Sequence, residues 1–488
     1  MNNRCHRYIA ILSIGIMVCL TGCSLGPFSL LRKPHPKTTG LLDYIEQTKW
    51  DTGSSFDFPE TTEFRLSNGL QVILVRKLDV PMVYARAQIR GGSIYDPPEK
   101  SGLAYVTGWV LTEGTESYPN EEIDAVMDSH GAHVSSVAYN ESCIVTLTCL
   151  AEDVTALFPY FAEIIARPAF NDQMIEESKR YLIGDLMRNQ DDVGDVCDRV
   201  FRDAVFEGHP YQKQMNGTLD GLKSVTTEDV RRFWADYYCP DRAVLVLVGN
   251  ISKEEAMAMC ETHLGSWLSS TKPLPLVGVP RSIEGTRILL VDKAATQAQI
   301  MMGHVGINRT NPDRFDLLVM NKILGGGGLY TRLAEEVRVK RGLTYGIYCY
   351  FARRDYTGEF LLSTFTRAES AVETIRVCLQ EIAKIRNEPV TQQELENAKM
   401  TLIASHPLQF EEYEDIAQTL VHNAFYELPL TDVTHFADLV AKVTIADVQR
   451  VAQKYLHPDD MVIVVVGPAE TLLPELETIG PVVIVDPI

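Results

Sequence analysis

No run dense in lysine and arginine occurs along the 488 residues, and 45 Lys and Arg stand against 65 Asp and Glu, a formal net charge of -20. Nothing is built to neutralise a phosphate backbone, which excludes a nucleic-acid surface. The cysteines do not fall into the spacing of a disulfide framework. Cys143 and Cys149 share one face of the strand-like "CIVTLTC", but strand rise sets them about 20 Å apart, beyond bridging reach. Buried free thiols are expected. No His-Glu-x-x-His and no Gly-x-Ser-x-Gly is found, so a zincin helix and a serine nucleophile elbow lack their residues. "GGGG" at Gly325 to Gly328 has neither the Lys-Ser/Thr of a phosphate loop nor the setting of a dinucleotide fingerprint.

What is present is globular: 45% apolar and 23% charged residues, and a length that a prior of roughly 150 residues per domain divides into two to four units. Arg4 and Arg7 precede an apolar run from Tyr8 to Leu20, the n-region and h-region of an export signal and too short to span as a mature helix. Leu20-Thr21-Gly22-Cys23 resembles the lipobox of bacterial lipoproteins, which implies cleavage after residue 22, acylation of Cys23 and a stable anchor made of several acyl chains. Ser24 resembles the pattern sorted to an outer membrane, so the expected location is the cell envelope, lipid-anchored, on the periplasmic face if the source is Gram-negative. Residues 23–63, with Pro27, Pro34, Pro36 and Pro59 and no sustained period, read as a tether.

"VTTEDVRRFWADYYCPDRAVLVLVG" starts at Val225 and "VTIADVQRVAQKYLHPDDMVIVVVG" at Val443, 218 residues later. Asp229 matches Asp447, Arg232 matches Arg450, Tyr237 matches Tyr455, and Gly249 matches Gly467 at that spacing. A repeat this long is a duplicated domain. Strands at Leu70 to Val75 and Val83 to Ile89 and helices at Gly102 to Glu113 and Glu121 to Asp128 alternate without a βαβ rhythm. The fold class is α+β: two homologous tandem domains, 64–270 and 284–488, each a mixed or antiparallel sheet flanked by helices, joined by a proline-marked linker at 271–283. Ser101 is expected to cap the Gly102 helix and Gly114 to stop it. His130 and His133 read as a helix end and a strand start.

Four segments carry a likeness: "GGSIYDPPEKSGLA" at Gly91, "GHPYQKQMNGT" at Gly208, "LGGGGLYTRL" at Leu324 and "EVRVKRGLTYGIY" at Glu336. Together with the duplication they resemble the pitrilysin or insulinase superfamily of zinc peptidases, in the branch of the mitochondrial processing peptidase. The resemblance implies a first helix bearing His-x-x-Glu-His, whose histidines hold zinc and whose glutamate is the general base. On this chain those positions are Tyr105, Gly108 and Trp109, and the third ligand falls near Asp185. Neutral phenol and indole are poor zinc ligands and glycine takes no proton, so no metal is expected on this chain and zinc is expected in a partner.

The same resemblance gives Arg338 and Tyr345 as the pair that binds the scissile peptide and steadies the oxyanion. It gives Gly325, Gly326, Gly327 and Gly328 as a substrate-touching loop. The implied function is the non-catalytic subunit of a heterodimeric zinc peptidase acting on peptides or unfolded segments, with a homologous zinc-bearing subunit as partner. The alternative is a non-enzymatic envelope scaffold built on the same fold.

Overall fold

A computed structural model describes residues 58–189 and 191–486. The export signal, Cys23 and most of the tether lie outside the described residues. Among the described residues no helix is long and apolar enough to cross a membrane.

The duplication is visible strand by strand. In the first half, β1 (Thr61–Arg65), β2 (Gln71–Arg76), β3 (Met82–Ile89), β4 (His133–Ala138), β5 (Cys143–Leu150) and β6 (Ala243–Gly249) form a sheet in the order β1-β2-β6-β3-β5-β4. In the second, β7 (Arg287–Asp292) and β8 (Gln297–Val305) are followed by a short β9 (Ile307–Asn308), β10 (Ile347–Phe351), β11 (Arg353–Arg354), β12 (Glu359–Arg367), β13 (Val462–Gly467) and β14 (Val482–Ile484). Their sheet runs β10-β12-β8-β13-β7-β14, while β9 and β11 pair separately. Read from opposite ends, five strands of each sheet correspond. Even the register repeats, Gln71 opposite Val244 and Arg287 opposite Val462, both parallel. The sixth strands differ, since β1 is antiparallel to its neighbour and β14 parallel.

The repeated Asp229 and Asp447 have a local cause. Each is the third helical residue of a capping box, with Thr226 before the Thr227–Tyr237 helix and Thr444 before Ile445–Tyr455. Such a cap is worth about 1 kcal/mol. Residues 265–286 carry neither helix nor strand. Seven cysteines, Cys143 and Cys149 among them, are free and buried.

One face of each sheet is covered by helices of its own half. The other face is covered by a helix of the opposite half. Val196, Cys197, Val200 and Phe201 of the Val193–Val205 helix pack on Met301, Val462, Val464 and Val466. In return Ile416, Leu420, Val421 and Phe425 of the Tyr413–Phe425 helix pack on Ile73, Val75, Val246 and Val248. At roughly 1.5–3 kcal/mol for each large apolar side chain taken from water, this exchange binds the halves strongly.

Candidate functional site: a packed motif helix and an open Arg–Tyr pair

The helix expected over Gly102 to Glu113 spans Leu103–Val110. Ser101 does not cap it. The cap comes from Asp96, whose Oδ2 accepts the Gly102 N–H and whose Oδ1 accepts the Ala104 N–H, each at 2.8 Å. Burial pushes the Asp96 carboxyl up to about 7, against those backbone donors and the Lys213 charge. Nor does Gly114 end the helix: it sits four residues beyond Val110, at φ 120°. The "GHPYQKQMNGT" segment packs against this turn. Lys213 Nζ donates to the Asp96 carbonyl, and His209 Nε2 meets the Gly278 carbonyl at 2.8 Å, pinning the linker.

On this helix the three motif positions do packing work. A Cβ on Gly108 would lie 2.9 Å from Ala138 Cβ and 3.0 Å from Ala138 N, so helix and β4 approach as only glycine allows. Trp109 stacks on Tyr181 with centroids 5.3 Å apart. The Tyr105 phenol is half-buried, and burial, then the charge of Asp185, raises its pKa. Asp185, on the Asp172–Asn189 helix, accepts from Arg188 at 3.1 Å. Tyr105 and Asp185 share the wall of an open cavity of about 410 Å³. Among the described residues no three His, Cys, Asp or Glu are grouped to hold a metal. A phenol, an indole, a bare glycine and one arginine-paired carboxylate do not fit zinc. His130 closes the Asn120–Ser129 helix and His133 opens β4.

The second half presents its side chains instead. Arg338 lies in a π-helical turn, Ala334–Val339, the kind of irregularity that recurs at functional sites. Its guanidinium carbon sits 4.5 Å from the ring centroid of Tyr345, which is 77% exposed. Neighbouring Glu336 is occupied by Lys340 at 2.6 Å and by Arg341, and hydrogen bonds from both hold its carboxyl below the usual range. Among the described residues the contact recorded for Arg338 is the Tyr345 ring, not a carboxylate.

The four glycines divide in two. A Cβ on Gly325 would meet Leu333 at 2.6 Å and Cys349 Sγ at 2.7 Å, and one on Gly326 would meet Asn321 and Lys322 at 3.0 Å. Gly327 and Gly328, at φ 87° and 94°, face open space. Lys322 Nζ holds the loop through the carbonyls of Gly326 and Gly327, both at 3.2 Å. The neighbouring Tyr330 is 98% exposed.

Two features had no signal in the sequence. One is the outer edge of β4, at the end of its sheet beside the motif helix, with no strand paired to it among the described residues. Such an edge can add an extended peptide as a further strand. The other is a polar clasp across the halves: buried Glu141 accepts the Tyr211 hydroxyl, the Tyr426 hydroxyl at 2.6 Å and the Asp355 N–H at 2.7 Å. Burial and the Glu141 charge push both phenols up. These partners lie 70 to 285 residues apart in the chain, so no local pattern could reveal them.

Comparison with known proteins agrees with this architecture. Residues 71–218 match the insulinase family (peptidase family M16) and residues 224–402 match the peptidase M16 inactive domain. An uncharacterized zinc protease of Bacillus subtilis is 23% identical over 408 residues, 83% of this chain and 98% of the relative. A probable mitochondrial-processing peptidase subunit beta of Arabidopsis thaliana is 23% identical over 426 residues, 85% of this chain and 80% of the relative. The crystal structure of a peptidase M16 inactive domain from Pseudomonas fluorescens superposes with a TM-score of 0.78 at 27% identity, covering 84% of this chain and 98% of that one. A protease from Helicobacter pylori shares the fold, with a TM-score of 0.78 at 19% identity and coverage of 84% and 100%. The duplicated sheets, the motif helix filled by Tyr105, Gly108 and Trp109, and these matches together make the chain a member of the M16 peptidase superfamily, of the non-catalytic type.

Proposed function

We propose that this chain is the substrate-binding and oxyanion-assisting subunit of a heterodimeric M16-type zinc peptidase, held in the cell envelope by lipid on Cys23. The observation that carries the reading is the Arg338–Tyr345 pair, a half-buried guanidinium over an exposed phenol with no carboxylate partner for Arg338 among the described residues, in a chain whose zinc positions are occupied by packing residues. A homologous partner would carry His-x-x-Glu-His and the zinc. This chain would present Gly327 and Gly328 and the β4 edge to an extended peptide. The Tyr345 phenol would donate to the peptide oxygen as negative charge develops there, beside the fixed charge of Arg338.

The test is affinity purification of the tagged full-length protein from native membranes in mild detergent, with mass spectrometry of stoichiometric partners. Recovery one-to-one with a homologue bearing His-x-x-Glu-His supports the reading, and peptide hydrolysis by that complex then provides the assay for Tyr345→Phe. Recovery alone, or with an unrelated envelope complex, removes it in favour of the scaffold.

A further inference from the structure

Two open cavities, one between the halves and one within the second half, share Arg309, Gln418 and His422 in their walls. One, of about 390 Å³, lies between the β3/β5 face and the Tyr413–Phe425 helix. The other, of about 480 Å³, lies between that helix, β11 and the Gln392–Ser405 helix.

Five arginines line the pair. Two have dedicated carboxylates: Arg314 forks onto Asp432 at 2.7 and 2.6 Å, and Arg354 onto Glu359 at 3.2 and 2.8 Å. Three do not. Arg86 is only 9% exposed, its Nε has no acceptor among the described residues, and its nearest carboxylate is the exposed Glu414 at 3.9 Å. Arg309 also leaves Nε without an acceptor. Its Nη1 is 2.8 Å from His422 Nε2, and its nearest carboxylate, Glu141 at 3.9 Å, already serves two tyrosines and a backbone N–H. Arg353, an exposed residue of β11, makes no ion pair among the described residues and faces Arg309, Arg314 and the Asp432 that Arg314 already holds.

For Arg86, a buried guanidinium whose nearest counter-charge is distant and exposed is unfavourable. Sheet packing does not require it here. Arg86 stands opposite Val246 on β6, and its counterpart in the other half, opposite Val464 on β13, is Met301. Methionine fills the place in one copy; the charge is peculiar to the other. The excess charge is felt at His422, whose imidazole is held down to about 3 by burial and then by Arg309, Arg353 and Arg86.

We propose that the joined cavity is a binding site for a phosphate or phosphoryl group, held by Arg86, Arg309 and Arg353. Planar guanidinium forks match the oxygens of phosphate, and three guanidinium groups without a close carboxylate of their own suit a multiply charged oxyanion better than a single carboxylate. The site is independent of the peptidase-subunit reading and uses none of its residues.

The experiment is isothermal titration calorimetry on the full-length protein in detergent micelles, with inorganic phosphate and, separately, glycerol 3-phosphate as a headgroup surrogate. Saturable binding is expected, weakened about tenfold by Arg86→Met and by Arg353→Gln, as loss of a charge-assisted contact requires. Arg376→Gln, outside the cavity, should change nothing. Arg86→Met installs the residue that the other half already tolerates, and the thermal melt of each variant checks its fold. Tighter binding of glycerol 3-phosphate upholds the site as one for a phosphoryl end of a larger molecule, and equal or weaker binding upholds it as one for free phosphate. Binding of neither at millimolar concentration, or binding unchanged in both folded cavity variants, overturns the proposal.

Discussion

Two aspartates stand before the first helix that follows the second strand in each half, and they are held in opposite states. Asp96 is 3% exposed, bonded to backbone N–H groups, with its carboxyl raised to about 7 by burial. Asp313, before the Arg314–Leu324 helix, has its carboxyl lowered to about 2: hydrogen bonds from Lys454, Tyr455 and Arg450 outweigh the opposing effect of burial. The same strand order has been furnished with different chemistry. The first half has drawn its motif helix inward, wedged it onto β4 at Gly108 and wrapped its start. The second keeps the corresponding helix on a salt-bridged surface and leaves Arg338 and Tyr345 open.

That contrast can be broken in four ways. The largest effect is expected from Tyr345→Phe, which should slow the proposed complex about a hundredfold, roughly 3 kcal/mol for one oxyanion donor. Its melting curve should not move, because the ring is exposed. Unchanged turnover would strip the second half of its role. Next comes Gly108→Glu, which restores the family's base residue in name only. Overpacking against Ala138 should cost about 2–3 kcal/mol in urea unfolding, and an undisturbed midpoint would mean that the first half is not closed.

The aspartates predict opposite pH responses. With a folded pKa above the unfolded value of 3.8, Asp96 contributes stability that is complete below that value and lost as pH rises through about 7. The slope is at most about 1.4 kcal/mol per pH unit, or about 2 kcal/mol between pH 5 and 7. Asp96→Asn should flatten this slope in urea midpoints, whatever its absolute stability. Asp313, with its folded pKa below 3.8, contributes above that value and loses its contribution as pH falls through about 2. Asp313→Asn should therefore weaken the protein most at neutral pH. The smallest effects test where the halves agree: Thr226→Ala and Thr444→Ala should each cost about 1 kcal/mol, since both capping boxes are formed. A large inequality would show that one copy's cap has been taken over by tertiary packing.

Much of the fold was legible because its signals are local or periodic. The runs at β2 and β3 needed only neighbouring residues to be read, and the 218-residue repeat only the comparison of the chain with itself. Gly108 was legible as a position that forgoes a side chain; that β4 is what it touches was not. Asp96 escaped because a cap is sought immediately before a helix, and this one reaches forward six residues from a buried turn. The arginine cavity escaped entirely. Arg86, Arg309 and Arg353 belong to strands and loops far apart in sequence, each an unremarkable basic residue until the halves close on one another.

The exchange of helices across the two sheets has a consequence for how such a molecule could arise. A single half, made as its own chain, would leave one sheet face bare and carry a helix with nothing beneath it. Two such chains would each hold what the other lacks, so the natural state of a one-half ancestor is a pair, and the segment over 265–286, without helix or strand, then joins partners already obliged to meet. Once fused, the copies were free to differ while remaining bound: Met301 could stay as sheet packing while its counterpart became Arg86.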